Sequence, residues 1–283
     1  MDCPILVWML WYNRDLTPEE YEKCYQTVQI CVPHANILYE PGNRQTAINT
    51  VTYLMPLLMM RHRRIPRSKW RDNMLPNGKH WIEQALDRNM DPVRRLKSLI
   101  GYHVTHDESL VGMAMVQGRQ REVVSIGLGV QMLSTQPRNM SVTDWAESQY
   151  HKLTPAEIES LGDRDDVILR RLCLILALKQ AYLNAIGQPA GFDYTRLEFN
   201  VAGEKIFGDN RPLSGWEFRI WQGNTVIREA ETSTEEKYQC ACAFFRGWPE
   251  SKFIWQRDAK SLETWVQFLN MDQLITVLPK LAD

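Results

Sequence analysis

Apolar residues run almost unbroken from Ile5 to Tyr12 and stop at Asn13-Arg14-Asp15, which predicts a buried strand. Thr17-Pro18-Glu19-Glu20 follows with an N-cap, a proline at the first helical position and an acidic first turn, so a helix starts there. A second helix is expected after Pro41-Gly42, through Arg44, Ile48, Val51, Leu54 and Leu58 toward His62, kinked at Pro56. Leu99 to Thr105 and Leu110 to Val116 predict two strands joined at His106-Asp107-Glu108. Glu122 to Leu133 predicts a third, interrupted by Gly127 and Gly129. Gln136 to Met140 has the composition of a linker and marks the expected boundary between two parts, residues 1–135 and 136–283.

The second part opens on the clearest element. Asp163 is the expected N-cap, Asp165 and Asp166 occupy the first turn, and Gly187 then Pro189 supply the stop. Such a helix is about 35 Å long and apolar on nearly every side of its centre, Leu172 to Leu178, so it is expected between layers. Strands are predicted at Arg196 to Val201, Trp216 to Trp221, Thr225 to Glu229 and Tyr238 to Phe245, and helix at Leu262 to Leu269 and Leu274 to Leu281. Each half runs from strand and helix into antiparallel strands without the alternating rhythm of a parallel sheet. The expected class is α+β: two similar lobes, each a long helix on a small antiparallel sheet, together one functional unit.

Charge and composition narrow the function. The 283 residues carry 33 Lys+Arg against 34 Asp+Glu, a net charge of −1, so no bulk field draws the chain to nucleic acid. The basic run from Arg61 to Lys69 then reads as a solvated face. The opening apolar stretch is too short for a bilayer and lacks a basic leader, so neither membrane nor secretion is expected. Six cysteines without a CxxC pair suggest neither zinc nor disulfides and fit a reducing cytoplasm. Ten tryptophans are expected chiefly in the core.

Familiar catalytic patterns are missing. Gly127-Leu128-Gly129 lacks the third glycine of a dinucleotide loop, and His103 and His106, three apart on a strand, face opposite ways and make a poor metal pair. No GxSxG, HExxH or P-loop occurs.

One likeness does cover roughly the whole chain. The segment Cys173 to Gly187, with Lys179-Gln180-Ala181 and then Asn184, resembles the signature helix of phosphopantetheinyl transferases of the two-lobed, surfactin-synthetase-activating type. There Lys-Glu-Ala or Lys-Glu-Ser is followed by a second Lys before a Gly. Tyr102 to Ala114, including Thr105-His106, resembles the family's Asn-x-Ser-His segment, and Val124 to Val130 its Val-Gly-x-Asp-Val strand. Gly42-Asn43-Arg44 stands where the family has an Arg near its first long helix.

The resemblance implies transfer of phosphopantetheine from coenzyme A to a carrier-protein serine, with carboxylates holding magnesium on the diphosphate. Those carboxylates are replaced. Gly129 stands at the metal-binding Asp, Gln131 at the often acidic position two residues on, and Gln180 at the motif Glu. A glutamine keeps the shape but neither the charge for a hard cation nor the basicity to take a proton. The resemblance therefore implies a degenerate member whose site, in the cleft between the lobes, needs no cofactor and no magnesium. His106, Lys179 and Gln180 are the expected catalytic residues, and Arg44, Lys79, Asp107 and Gln131 the expected ligand-binding ones.

Three functions stay open. The first is a metal-independent enzyme of specialised biosynthesis acting on a small or carrier-bound metabolite. The second is a non-catalytic binder of coenzyme A, pantetheine or a carrier protein. The third is residual transfer with acids supplied by Asp107, Glu108 or Glu147. A monomer is expected.

Overall fold

A computed structural model describes residues 4–85, 91–92, 97–119, 123–188, 191–229 and 232–283. Cys3, Glu122 and Pro189 lie outside these residues.

The opening apolar run forms β1 (Ile5–Trp11). It is buried on both faces: Trp8 and Leu10 pack toward the first helices, whereas Ile5, Val7, Met9 and Trp11 enter a second core between two sheets. Helix α1 (Pro18–Cys31) begins at Thr17, whose hydroxyl accepts from Glu20 N while the Glu20 carboxylate accepts from Thr17 N. Helix α2 (Arg44–His62) is capped by Asn43, and Pro56 lies inside it.

Strands β2 (Trp70–Met74), β3 (His80–Gln84), β4 (Leu99–Asp107) and β5 (Leu110–Gly118) then form a meander. β2 and β3 escape prediction because their alternation is faint: in β2 only Trp70 is buried, and in β3 only Ile82. Strand β6 (Ile126–Met132) follows, and after it the short helices α3 (Val142–Gln149) and α4 (Pro155–Glu159). Helix α5 (Asp165–Ile186) has 22 residues and ends on Gly187 at φ 66°, where glycine has no Cβ to clash. Its N-cap is Arg164, not Asp163, and it makes no side-chain cap bond.

A small sheet of β7 (Leu197–Asn200), β8 (Lys205–Gly208) and β9 (Arg211–Pro212) precedes the long hairpin β10 (Trp216–Glu229) and β11 (Thr232–Phe245). The two separate strands expected before Glu229 are thus one. β12 (Lys252–Trp255), α6 (Ala259–Leu262), β13 (Val266–Asn270) and α7 (Met271–Val277) complete the chain.

The helix expected over Leu262 to Leu269 is therefore largely a strand. Val266-Gln267-Phe268 lies parallel to β1, Val266 opposite Val7 and Phe268 opposite Met9, and the Phe268 ring stacks on Trp11 at 5.9 Å. The open edge of β1 offers backbone partners that local propensity cannot anticipate.

The sheet order β13-β1-β5-β4-β3-β2 and the order β12-β10-β11-β6 give the α+β class read from the sequence. Four layers result: α1 and α2, the first sheet, the second sheet, and α5. Strands are exchanged across residues 135 and 136 in both directions, since β6 pairs with β11 and β13 with β1. Trp8, Trp11, Trp70, Trp145, Trp216, Trp221 and Trp265 are buried, as expected of core tryptophans.

Candidate functional site

Strand β4 organises the site because its alternation sends neighbouring residues to different layers. Tyr102 and Val104 belong to the core under α2, and His106 continues that face: the Gln45 amide donates to its Nε2 at 3.1 Å. Thr105 and Asp107 face the other way. The Asp107 carboxylate accepts from Met132 N of β6 at 2.6 Å, and the Gln180 amide of α5 donates to Thr105 Oγ1 at 3.5 Å.

On that second face β6 meets α5. Gln180 Oε1 accepts from Val130 N at 3.0 Å and from the Gln131 amide at 3.2 Å. The helix can come this close because Gly127 and Gly129 have no side chain. A Cβ at Gly129 would stand 2.0 Å from the carbonyl oxygen of Ala177, and one at Gly127 would stand 2.2 Å from that of Ala181. Gln131, Gln180 and Thr105 thus make a neutral amide and hydroxyl cluster against a glycine-packed helix.

Magnesium does not fit this cluster. It prefers several oxygen ligands including carboxylates, whereas Gln180 Oε1 is already spent on two N–H donors and no space exists at position 129 for a side chain. Of the other acids expected from the sequence, Asp107 is held by Met132 N, and burial pushes its carboxyl up from the usual range. Glu108 and Glu147 are exposed.

The expected catalytic residues do not assemble into one constellation. His106 lies on the α2 face of β4 and Gln180 behind it. Lys179, next to Gln180 on α5, points elsewhere: it is fully buried, paired with Glu157 of α4 at 2.7 Å, and donates to the carbonyls of Lys152 and Tyr194. Burial pushes the Lys179 ammonium down and the Glu157 carboxyl up, and their contact opposes both shifts. Glu157 also accepts from Thr154 N and Phe199 N, so the pair ties α4, α5 and β7 together. Sequence reading missed Glu157, although Thr154-Pro155-Ala156-Glu157 has the spacing of a capping box.

The expected ligand-binding residues also separate. Arg44, at the start of α2, is paired with Asp15 at 2.7 Å and donates to Ser109 Oγ at 2.8 Å. Lys79 is buried and donates to the carbonyls of Ile126 and Asn184, with burial lowering its pKa to about 7. Burial likewise lowers the His106 imidazole, leaving it neutral near pH 7.

A cavity of about 750 Å³ opens between α2 and the sheet. Tyr53, Arg67, Trp70, Arg71, Lys79 and Tyr102 are among its lining residues, and Val104 carries its wall along β4 toward His106. Aromatic surface with several cationic groups suits an anionic ligand with a flat ring.

No helix among the described residues is long and apolar enough to cross a membrane. No protein-family model matches the chain. Over 180 residues, 60% of its length, the chain is 29% identical to a curated 4'-phosphopantetheinyl transferase, pptA of Paxillus involutus, and it spans 63% of that relative. This similarity supports the family that the α5 segment and the β4 and β6 strands resemble.

Proposed function

We propose that the chain is a phosphopantetheinyl-transferase-like protein that has lost magnesium-dependent transfer and binds coenzyme A, or a pantetheine-bearing carrier protein, without moving the group. The close contact of Gly129 with Ala177 is the observation that carries this reading. A carboxylate at 129 would need the helix to retreat, and the amide that replaces the motif Glu at 180 is turned inward onto Val130 N. The charged groups described in that layer are already engaged, Asp107 by Met132 N and Lys79 by the carbonyls of Ile126 and Asn184.

Retained binding is supported by the 750 Å³ cavity with its aromatic and basic lining. His106 lies about 7 Å beyond Val104 on the same strand face, at two residues per repeat.

A second reading, a metal-independent reaction on a small or carrier-bound metabolite in specialised biosynthesis, draws on one observation. His106 is held neutral by burial, the form in which an imidazole takes a proton. Its Nε2 would first have to be released by Gln45.

The discriminating experiment incubates the chain with an apo carrier protein, coenzyme A and magnesium, and follows carrier mass. The proposal expects coenzyme A to bind while the carrier stays apo. Conversion to the holo form would establish residual transfer instead, and a changed metabolite that needs His106 would establish the second reading.

A further inference from the structure

The cavity between α2 and the sheet holds a group of side chains that the phosphopantetheine reading does not use. His34, from the segment after α1, Asp72 of β2 and His80 of β3 each present one ligand atom, and these atoms all lie within 4.8 Å of one another. His80 Nδ1 is 3.2 Å from Asp72 Oδ2, and His34 Nε2 is 3.6 Å from the same oxygen. The two imidazoles face each other with centroids 5.4 Å apart.

From these distances the geometry points to a site for a first-row transition ion of the zinc class, held by His34, Asp72 and His80 on the wall of the cavity. Ligand atoms at about 2.0–2.1 Å around a tetrahedral ion stand about 3.3 Å from one another. The His80–Asp72 separation already matches that spacing, and His34 needs only a small inward movement. His34 is half-exposed at the end of a turn, so such a movement meets little resistance.

The donor set selects the ion. Two imidazole nitrogens and one carboxylate suit zinc, iron(II) or cobalt(II), whereas magnesium wants oxygen. The carboxylate also has a hydrogen-bond partner outside the ligand set, as ligating carboxylates commonly do. Tyr102 donates its hydroxyl to Asp72 Oδ2 at 2.7 Å. Three protein ligands leave a zinc ion one further position, for water.

The full chain, stripped of metal by a chelator that is then removed, is titrated with zinc by calorimetry, and with cobalt(II) by visible absorption. The site predicts one saturable ion per chain and no competition from millimolar magnesium. His34→Ala and Asp72→Asn should each weaken zinc at least tenfold. His34→Ala alters a half-exposed side chain and should melt at the wild-type temperature, so its loss of binding is not a loss of fold. Absence of saturable binding would overturn the assignment, as would binding that both variants leave unchanged.

Discussion

Lys179 shows how a residue singled out by family position can serve the fold. Its ammonium and the Glu157 carboxylate are enclosed together, so Lys179→Met strands a buried charge and should lower stability by about 3–5 kcal/mol in urea unfolding. Adding Glu157→Gln removes that charge while keeping an acceptor for Phe199 N or Thr154 N, and should recover part of the loss. If the double variant is no better than the single one, the charge pairing is not what Lys179 contributes. Gly129 tests the other half of the site. Gly129→Asp should destabilise by about 3 kcal/mol, because the new Cβ meets the Ala177 carbonyl, and it should not create magnesium-dependent transfer. A stable Gly129→Asp protein that gains transfer would show that the helix yields easily. At this scale the sequence marked Gly129, Gln131 and Gln180 as positions of interest but not where their neighbours point. Thr105 and His106 are adjacent, yet the strand sends them to opposite layers, and that separation follows from β4 being covered on both faces.

Among the elements, legibility tracked how much of the pattern was local. Thr17-Pro18 and its acidic turn foretold α1 because capping involves neighbours only, and α5 announced itself by its apolar centre and terminal glycine. β2 and β3 stayed hidden because each buries little, and β13 read as helix because its partner, β1, lies at the other end of the chain. The Gly127 and Gly129 interruption was a readable sign of close backbone approach, though only the packed helix explains it. Since β13 covers the edge of β1, truncation after Glu263 should expose a long apolar edge strand. The truncated chain is expected to self-associate at concentrations where the full chain does not, as light scattering would report. Monodisperse behaviour of the truncated chain would mean that β13 does not protect that edge.

For the whole molecule, Lys79 links the two sheets' surroundings to pH. Its ammonium titrates near pH 7 in the folded chain against 10.5 as a free side chain, because burial disfavours the charged form. Between those values the unfolded chain carries a proton that the folded chain has released, so stability from this group rises with pH above about 7. Lys79→Met should flatten that rise in a comparison of melting temperatures across the range, and an unchanged profile would place the titrating group elsewhere. The central claim, a ligand cleft retained without its metal, is tested most directly by titrating coenzyme A into the chain by calorimetry in matched samples containing magnesium or EDTA. Equal dissociation constants in the two samples are the predicted result; binding that appears only with magnesium, or no binding in either sample, would contradict it.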